Sequence, residues 1–285
     1  MTEERAKLRA IFDEAVLLYD EVRPGYPEEL FDGAISLSGI PSGGRILEIG
    51  CGTGQATVPF ARRGYEILCV ELGENLATLA RRNLGAYPRA EVHVGPFEEW
   101  RPQEAAFDLA VSATAFHWLD PEVAYPRVAD ALGEGGTLAL FWNVHVRTDA
   151  VRGFFEEAQR IYERETPEIV RYGDSRELPR PEEVPSRTPE IENSDLFEVE
   201  ATRNYRWDET YDAARYLRVL NTYSGHRSLD NDARKRECYG NMERQRARAG
   251  TNFPVYAESD AAGKCDYRHG RRSGRFFADY DRRVG

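Results

Sequence analysis

Apolar runs of the roughly 20 residues needed to cross a bilayer are missing from this sequence, and its mean hydropathy is −0.61 with 31% charged residues. The opening stretch, MTEERAKLRAIFDEA, mixes acids with bases and lacks the apolar core of an export signal. A water-soluble, cytoplasmic protein with no membrane association is expected. Cysteine is scarce: Cys51, Cys69, Cys238 and Cys265 stand far apart with no C-x-x-C pair, which speaks against a zinc cage or a disulfide framework and for reduced thiols. The five histidines form no H-x-x-x-H or other ligand spacing, so no metal is expected. Cys51 sits within a cluster of glycines, where it reads as a small turn residue rather than a nucleophile.

The charge is unevenly spread. The net value is −11, yet residues 233–285 hold 13 Lys and Arg against 7 Asp and Glu, a balance of +6 that leaves −17 for the rest. The acidic body should repel nucleic acid, and the basic tail lacks stacking aromatics in a recognisable module, so it reads as solvated surface. The 285 residues suffice for one elaborated domain.

Leu8, Ile11, Phe12, Ala15, Leu18 and Tyr19 recur at helical spacing, giving an amphipathic first helix. RPGYP, residues 23–27, breaks it, because each proline pushes the residue before it out of the helical region. EELFDGAISLSG resumes a helix that Gly39 and Pro41 close. From Arg45 strand-like runs alternate with helical ones: RILEI, a helix after Gly54, EILCVEL, NLATLARRNL, AEVHVG, FDLAVSA, a helix, then TLALFWN. That rhythm predicts a parallel sheet covered on both faces by helices. Asp120, Pro121 and Glu122 form a well-made helix start, whereas Pro59 either distorts the helix after the glycines or delays its beginning. Beyond Asn143, DAVRGFFEEAQRIYERE reads as a helix, the proline-rich stretch that follows as a connection, FEVEATRNYRW as a strand and DETYDAARYLRVLNTYS as a helix.

A strand, a glycine-rich turn and a helix bring backbone N–H groups to a ligand at the carboxyl end of a parallel sheet. Here Glu48, Gly50, Gly52 and Gly54 give E-x-G-x-G-x-G. The competing dinucleotide fingerprint, G-x-G-x-x-G/A, wants a small residue at position 55, where Gln55 stands. Glu48 would oppose a pyrophosphate but suits an ammonium group, which S-adenosylmethionine carries together with a sulfonium and no phosphate. Glu71 ends the second strand and suits both ribose hydroxyls under either reading. A nicotinamide-dependent oxidoreductase and a non-catalytic cofactor-binding protein therefore stay open as alternatives.

With these motifs in hand, EIGCGTGQ, the strand ending CVEL, FDLAVSATAFHWLD and GGTLALFW, the chain resembles class I S-adenosylmethionine-dependent methyltransferases. The leading FDEAVLLYDEVRPGYP is similar to bacterial small-molecule members of the methyltransferase type 11 group. The likeness covers Ile11 to Asn143 and continues weakly to Leu229. It implies an α/β, three-layer Rossmann-like methyltransferase fold with a mostly parallel seven-stranded sheet whose last strand is antiparallel. Residues 1–44 become a helical lid and 45–143 the cofactor-binding core. Residues 144–232 hold acceptor-pocket helices and sheet elements, and 233–285 a divergent basic tail expected to be poorly ordered, in which FPVYAE and RFFADY are the candidates for a closing strand.

The resemblance implies one S-adenosyl-L-methionine per chain. Gly50, Gly52 and Gly54, with Gln55 completing the motif, would lie under its methionine part, and Glu48 near its amino group. Glu71 would hold the ribose and Leu72 flank the adenine. Phe97 and Glu98 would approach the adenine edge, although Pro96 stands where many relatives have Asp. Ala113 would line the cofactor through its backbone. Tyr19 and Arg23 belong to the lid, Tyr19 touching the cofactor and Arg23 binding a carboxylate of cofactor or substrate. His117 is the candidate base for a hydroxyl or amine acceptor; a carboxylate acceptor would need none. Trp118, Trp142 and His145 would border the acceptor pocket. The partner implied is a small-molecule methyl acceptor, with the protein a monomer or homodimer.

Overall fold

The computed structural model describes residues 16–101, 104–146, 152–165, 178–223, 226, 240 and 252–264. Helix α1 (Val16–Val22) ends at the RPGYP segment and α2 (Glu28–Ser38) follows, closed by Gly39 in the left-handed conformation at φ 61°. The alternating body comprises β1 (Arg45–Ile49), α3 (Thr57–Arg62), β2 (Glu66–Glu71), α4 (Glu74–Asn83), β3 (Ala90–Val94), β4 (Phe107–Ala113), α5 (Pro121–Ala131) and β5 (Leu132–His145). After it come α6 (Arg152–Glu165), α7 (Thr188–Glu192), β6 (Phe197–Thr210), α8 (Ala213–Leu220) and β7 (Asn252–Lys264).

The strands run in the order β3-β2-β1-β4-β5-β7-β6. β1 to β5 run parallel to one another, while β7 is antiparallel to both β5 and β6. Alternation along each strand sorts side chains into two cores. Ile46, Ile67, Leu109, Val111 and Phe141 pack with α2 and α3 through Leu30, Phe31 and Phe60. Leu47, Val70, Ala110, Leu138 and Leu140 pack on the other face with α5 and α7 through Tyr125, Val128 and Ile191. Helices thus cover both faces. A third cluster joins α1 to α8, with Val22 buried against Tyr216, Val219 and Leu220, and Glu21 pairs with Arg218 across the same seam.

Local chemistry explains the boundaries. Asp120 accepts from the Glu122 N–H at 3.1 Å and Pro121 opens α5, as a cap should. Pro59 proves compatible because α3 begins only at Thr57: the proline falls in the first turn, where its missing N–H has no helical partner to lose. The proline-rich connection contributes a 3-10 turn at Pro181–Glu183 and the short α7 rather than a strand. FPVYAE lies within β7; RFFADY, Cys238, Cys265 and most of the first helix's apolar stripe lie outside the described residues. Among the described residues no helix is long and apolar enough to cross a membrane.

Candidate functional site

The strand order reverses at β1, whose neighbours are β2 on one side and β4 on the other, and a crevice opens above their carboxyl ends. It encloses about 750 Å³ counting its open mouth. Each strand supplies its floor: Ile49, Gly50 and Gly52 after β1, Glu71 and Leu72 at β2, Gly95 and Phe97 after β3, and Ala113 to Ala115 after β4. Tyr19 closes it from α1, and Trp118 and Leu119 from the turn before α5.

The glycine turn has the geometry its sequence required. Gly50, Gly52 and Gly54 adopt φ of 70°, 57° and 90°, a region costly for residues bearing a Cβ. At Gly50 space is also missing: a Cβ there would lie 2.5 Å from the Ala115 Cβ. Gly50→Ala should therefore lose about 1–3 kcal/mol of stability, readable by denaturant melts, and the added Ala115→Gly should restore part of it by removing the clash. Gly54 turns the chain into α3, its carbonyl accepting from the Val58 N–H at 2.9 Å; it serves the turn and does not line the crevice.

Glu71, 6% exposed, ties the turn to β2. Its Oε2 accepts from the Gly52 N–H at 2.8 Å and its Oε1 from the Gly73 N–H at 2.9 Å.

Glu48 lies beneath the same turn, on the β1 face that also carries Ile46. It is fully buried, and neither carboxylate oxygen has a hydrogen-bond partner. Burial raises its pKa to about 7; the Thr57 hydroxyl, near but not hydrogen-bonded to it, opposes the rise, and the Glu71 charge adds to it. Cys51 and Cys69 are free and buried close by, and the contact with Cys69 first and burial second hold the Cys51 thiol well above its ordinary pKa. This is an inert packing residue, not a nucleophile.

The crevice thus gathers Tyr19, Gly50, Gly52, Glu71, Leu72, Phe97 and Ala113. Glu48 and Gly54 stand behind its wall. Gln55 and Glu98, both half-buried, do not line it. His117 is likewise outside the lining, and its Nδ1 accepts from the Trp142 Nε1–H at 3.2 Å. The neutral ring then carries its proton on Nε2 and its one lone pair is already engaged, which sets it apart from the base the sequence suggested. Arg23 is also beside the crevice rather than in it. Its Nε donates to the Thr222 hydroxyl at 2.8 Å and its Nη2 to the Thr222 carbonyl at 3.0 Å.

Sequence reasoning missed Thr114. It holds φ 53°, an outlier for a β-branched residue. Its hydroxyl shares a hydrogen bond of 2.7 Å with Tyr26 and accepts from the Asn143 N–H at 3.2 Å. The Asn143 amide in turn donates to the carbonyls of Pro24 and Gly25 at 3.2 and 3.0 Å. RPGYP is thereby seated on the ends of β4 and β5. Nothing local in ATAFHW signals the strain, because the partners lie 88 and 29 residues away.

Residues 46–136 match the family model described as a methyltransferase domain. An uncharacterized methyltransferase of Mycobacterium tuberculosis is 33% identical over 143 residues, 50% of this chain and 56% of that protein. The magnesium-protoporphyrin O-methyltransferase of Rhodobacter capsulatus is 30% identical over 128 residues, 43% of this chain and 55% of that protein. The chain thus spans about half the length of the curated relatives it matches. Among solved structures, a putative type II methyltransferase from Anaeromyxobacter dehalogenans superposes with a TM-score of 0.57 at 21% identity, over 85% of this chain and 97% of that one. Residues 46–136 are thus similar to methyltransferase domains, and the fold is shared with a solved methyltransferase structure.

Proposed function

We propose that the protein transfers the methyl group of S-adenosylmethionine to a nucleophile of a small molecule. The observation that carries this reading is the buried, unpartnered Glu48 carboxylate under a turn of three left-handed glycines. A buried acid without a partner is costly, and an ammonium group arriving above the turn would supply the missing charge. The same acid would repel the pyrophosphate of a dinucleotide. Gly50 and Gly52 would underlie the methionine portion, Glu71 would take the ribose hydroxyls, Leu72 and Phe97 would flank the adenine, and Tyr19 would cover the donor. When bound, the cofactor supplies an electrophilic methyl group on a positive sulfur.

The chain's own task is then alignment and exclusion of water rather than proton transfer. Thr114 and Ala115 shape the floor at the end of β4, and the seated RPGYP segment with Tyr19 forms the roof. The name of the Rhodobacter relative, an O-methyltransferase of a small molecule, favours an oxygen nucleophile. Coupled detection of S-adenosylhomocysteine during an acceptor screen tests the proposal: product formed with a small molecule supports it, and turnover of a nicotinamide cofactor instead would refute it. Once an acceptor is known, His117→Phe should leave kcat within about threefold, whereas loss of a working base would lower it about 10²–10⁴-fold.

A further inference from the structure

Arg23 is a half-buried cation. Among the described residues no carboxylate lies within salt-bridge distance of it, and its Nη1 has no acceptor, although Nε and Nη2 are held by Thr222. Its guanidinium lies 5.0 Å from the ring centre of Tyr19 and 4.2 Å from that of Tyr223. Tyr19 lines the crevice and approaches Gly52, so the charge stands one ring's width from the donor's place. On its other side the Tyr223 hydroxyl meets His145 Nδ1 at 3.3 Å, at the end of β5. This rigid, stacked fork, fixed on two donors and open on a third, suits a planar anion.

A second observation concerns bases. Among the described residues the titratable side chains lining the crevice are Tyr19 and Glu71, and both Glu71 oxygens already accept backbone N–H groups. Glu48 is walled off beneath the turn. His117 Nδ1 is engaged by Trp142. His145 is pushed down to about 4 by burial first and the Arg23 charge second, which makes it a poor proton acceptor. Among the described residues an alcohol or ammonium acceptor would therefore meet no carboxylate or imidazole placed to remove its proton. A nucleophile that arrives already ionised needs none.

We infer that the acceptor is a carboxylic acid, bound as its carboxylate with Arg23 as counter-ion and methylated on oxygen to give a methyl ester; this rests on the methyl-transfer reading above. The bond between a carboxylate oxygen and the methyl carbon forms as the methyl–sulfur bond breaks, and that bond's electron pair passes to sulfur. The negative and positive charges cancel, and no proton is released.

The test uses the full chain loaded with S-adenosylhomocysteine and titrated calorimetrically with succinate, glutarate, benzoate and octanoate, each beside its neutral amide. At least one acid is expected to bind tenfold or more tightly than its amide. Arg23→Gln should erase that difference, Arg23→Lys should keep part of it, and both should leave S-adenosylhomocysteine affinity within twofold. With a bound acid as acceptor, methyl label should be released as methanol by mild alkali. Equal binding of acids and amides, absence of binding by every acid, or alkali-stable label would overturn the inference. So would an Arg23→Gln protein that loses S-adenosylhomocysteine but not 5′-methylthioadenosine, since Arg23 would then hold the donor's own carboxylate. Failure of S-adenosylhomocysteine to bind the parent protein would instead remove the methyl-transfer reading itself.

Discussion

Replacing Glu48 by Gln is expected to stabilise the ligand-free protein above pH 7 while lowering its affinity for S-adenosylmethionine about 10- to 100-fold, by removing the charge beneath the turn that attracts the ammonium group. The two effects have one origin. In the folded chain the Glu48 pKa is raised to about 7 from 4.5. Between those values the folded state retains a proton that the unfolded state has released, so stability falls as pH rises through the window. Above pH 7 the full cost, about 3 kcal/mol at most, is present; below pH 4.5 it is absent. Among the described residues the groups facing Glu48 include Thr57, Cys69, Glu71, Cys51 and Tyr26, and none of these is a cation. Thermal melts across pH 5 to 8 check the prediction: the parent and variant curves should converge at the acid end and separate at the alkaline end. Parallel curves would mean that Glu48 has a partner in solution.

Glu71→Ala should be more damaging. It removes the acceptor of two backbone N–H groups, those of Gly52 and Gly73, together with the proposed ribose contact. Each hydrogen bond to a charged group is worth about 1.5–3 kcal/mol, so S-adenosylhomocysteine affinity should fall at least about 100-fold. Stability should fall too, by about 1–3 kcal/mol, because the freed N–H groups reach water only partly. Glu71→Gln keeps the shape but can serve only one of the two donors by its carbonyl, and should fall between. Calorimetry with the nucleoside adenosine separates the roles. If the ribose contact is real, both variants lose adenosine binding along with S-adenosylhomocysteine; loss of the latter alone would assign Glu71 to the turn only.

What the sequence made legible is what is encoded over short distances. The glycine turn, Glu71 at the end of β2 and the Asp120 cap each need only a few neighbouring residues, and each is where the pattern placed it. In the structure Glu48 lies on the β1 face that carries Ile46, and its lack of a partner depends on what α3 and β2 bring against it. The sequence marks Arg23 as a binder of a carboxylate of cofactor or substrate; that two of its donors are held by Thr222, 199 residues on, has no local signature. The same holds for His117, whose availability as a base is decided by Trp142 on a different strand. The residues proposed for the lid and the acceptor site are spread over α1, β4, β5 and the segment after α8, so their chemistry emerges only with the tertiary structure.

The central claim is that the turn above Glu48 receives a cationic methyl donor, and titrating the full chain with S-adenosylhomocysteine near pH 6.5 in two buffers of different ionisation enthalpy tests it most directly. The account predicts one site per chain, with protons released to the buffer as Glu48 ionises beneath the incoming ammonium, and no such release in Glu48→Gln. An absence of binding, or tighter binding of NAD than of S-adenosylhomocysteine, would contradict it.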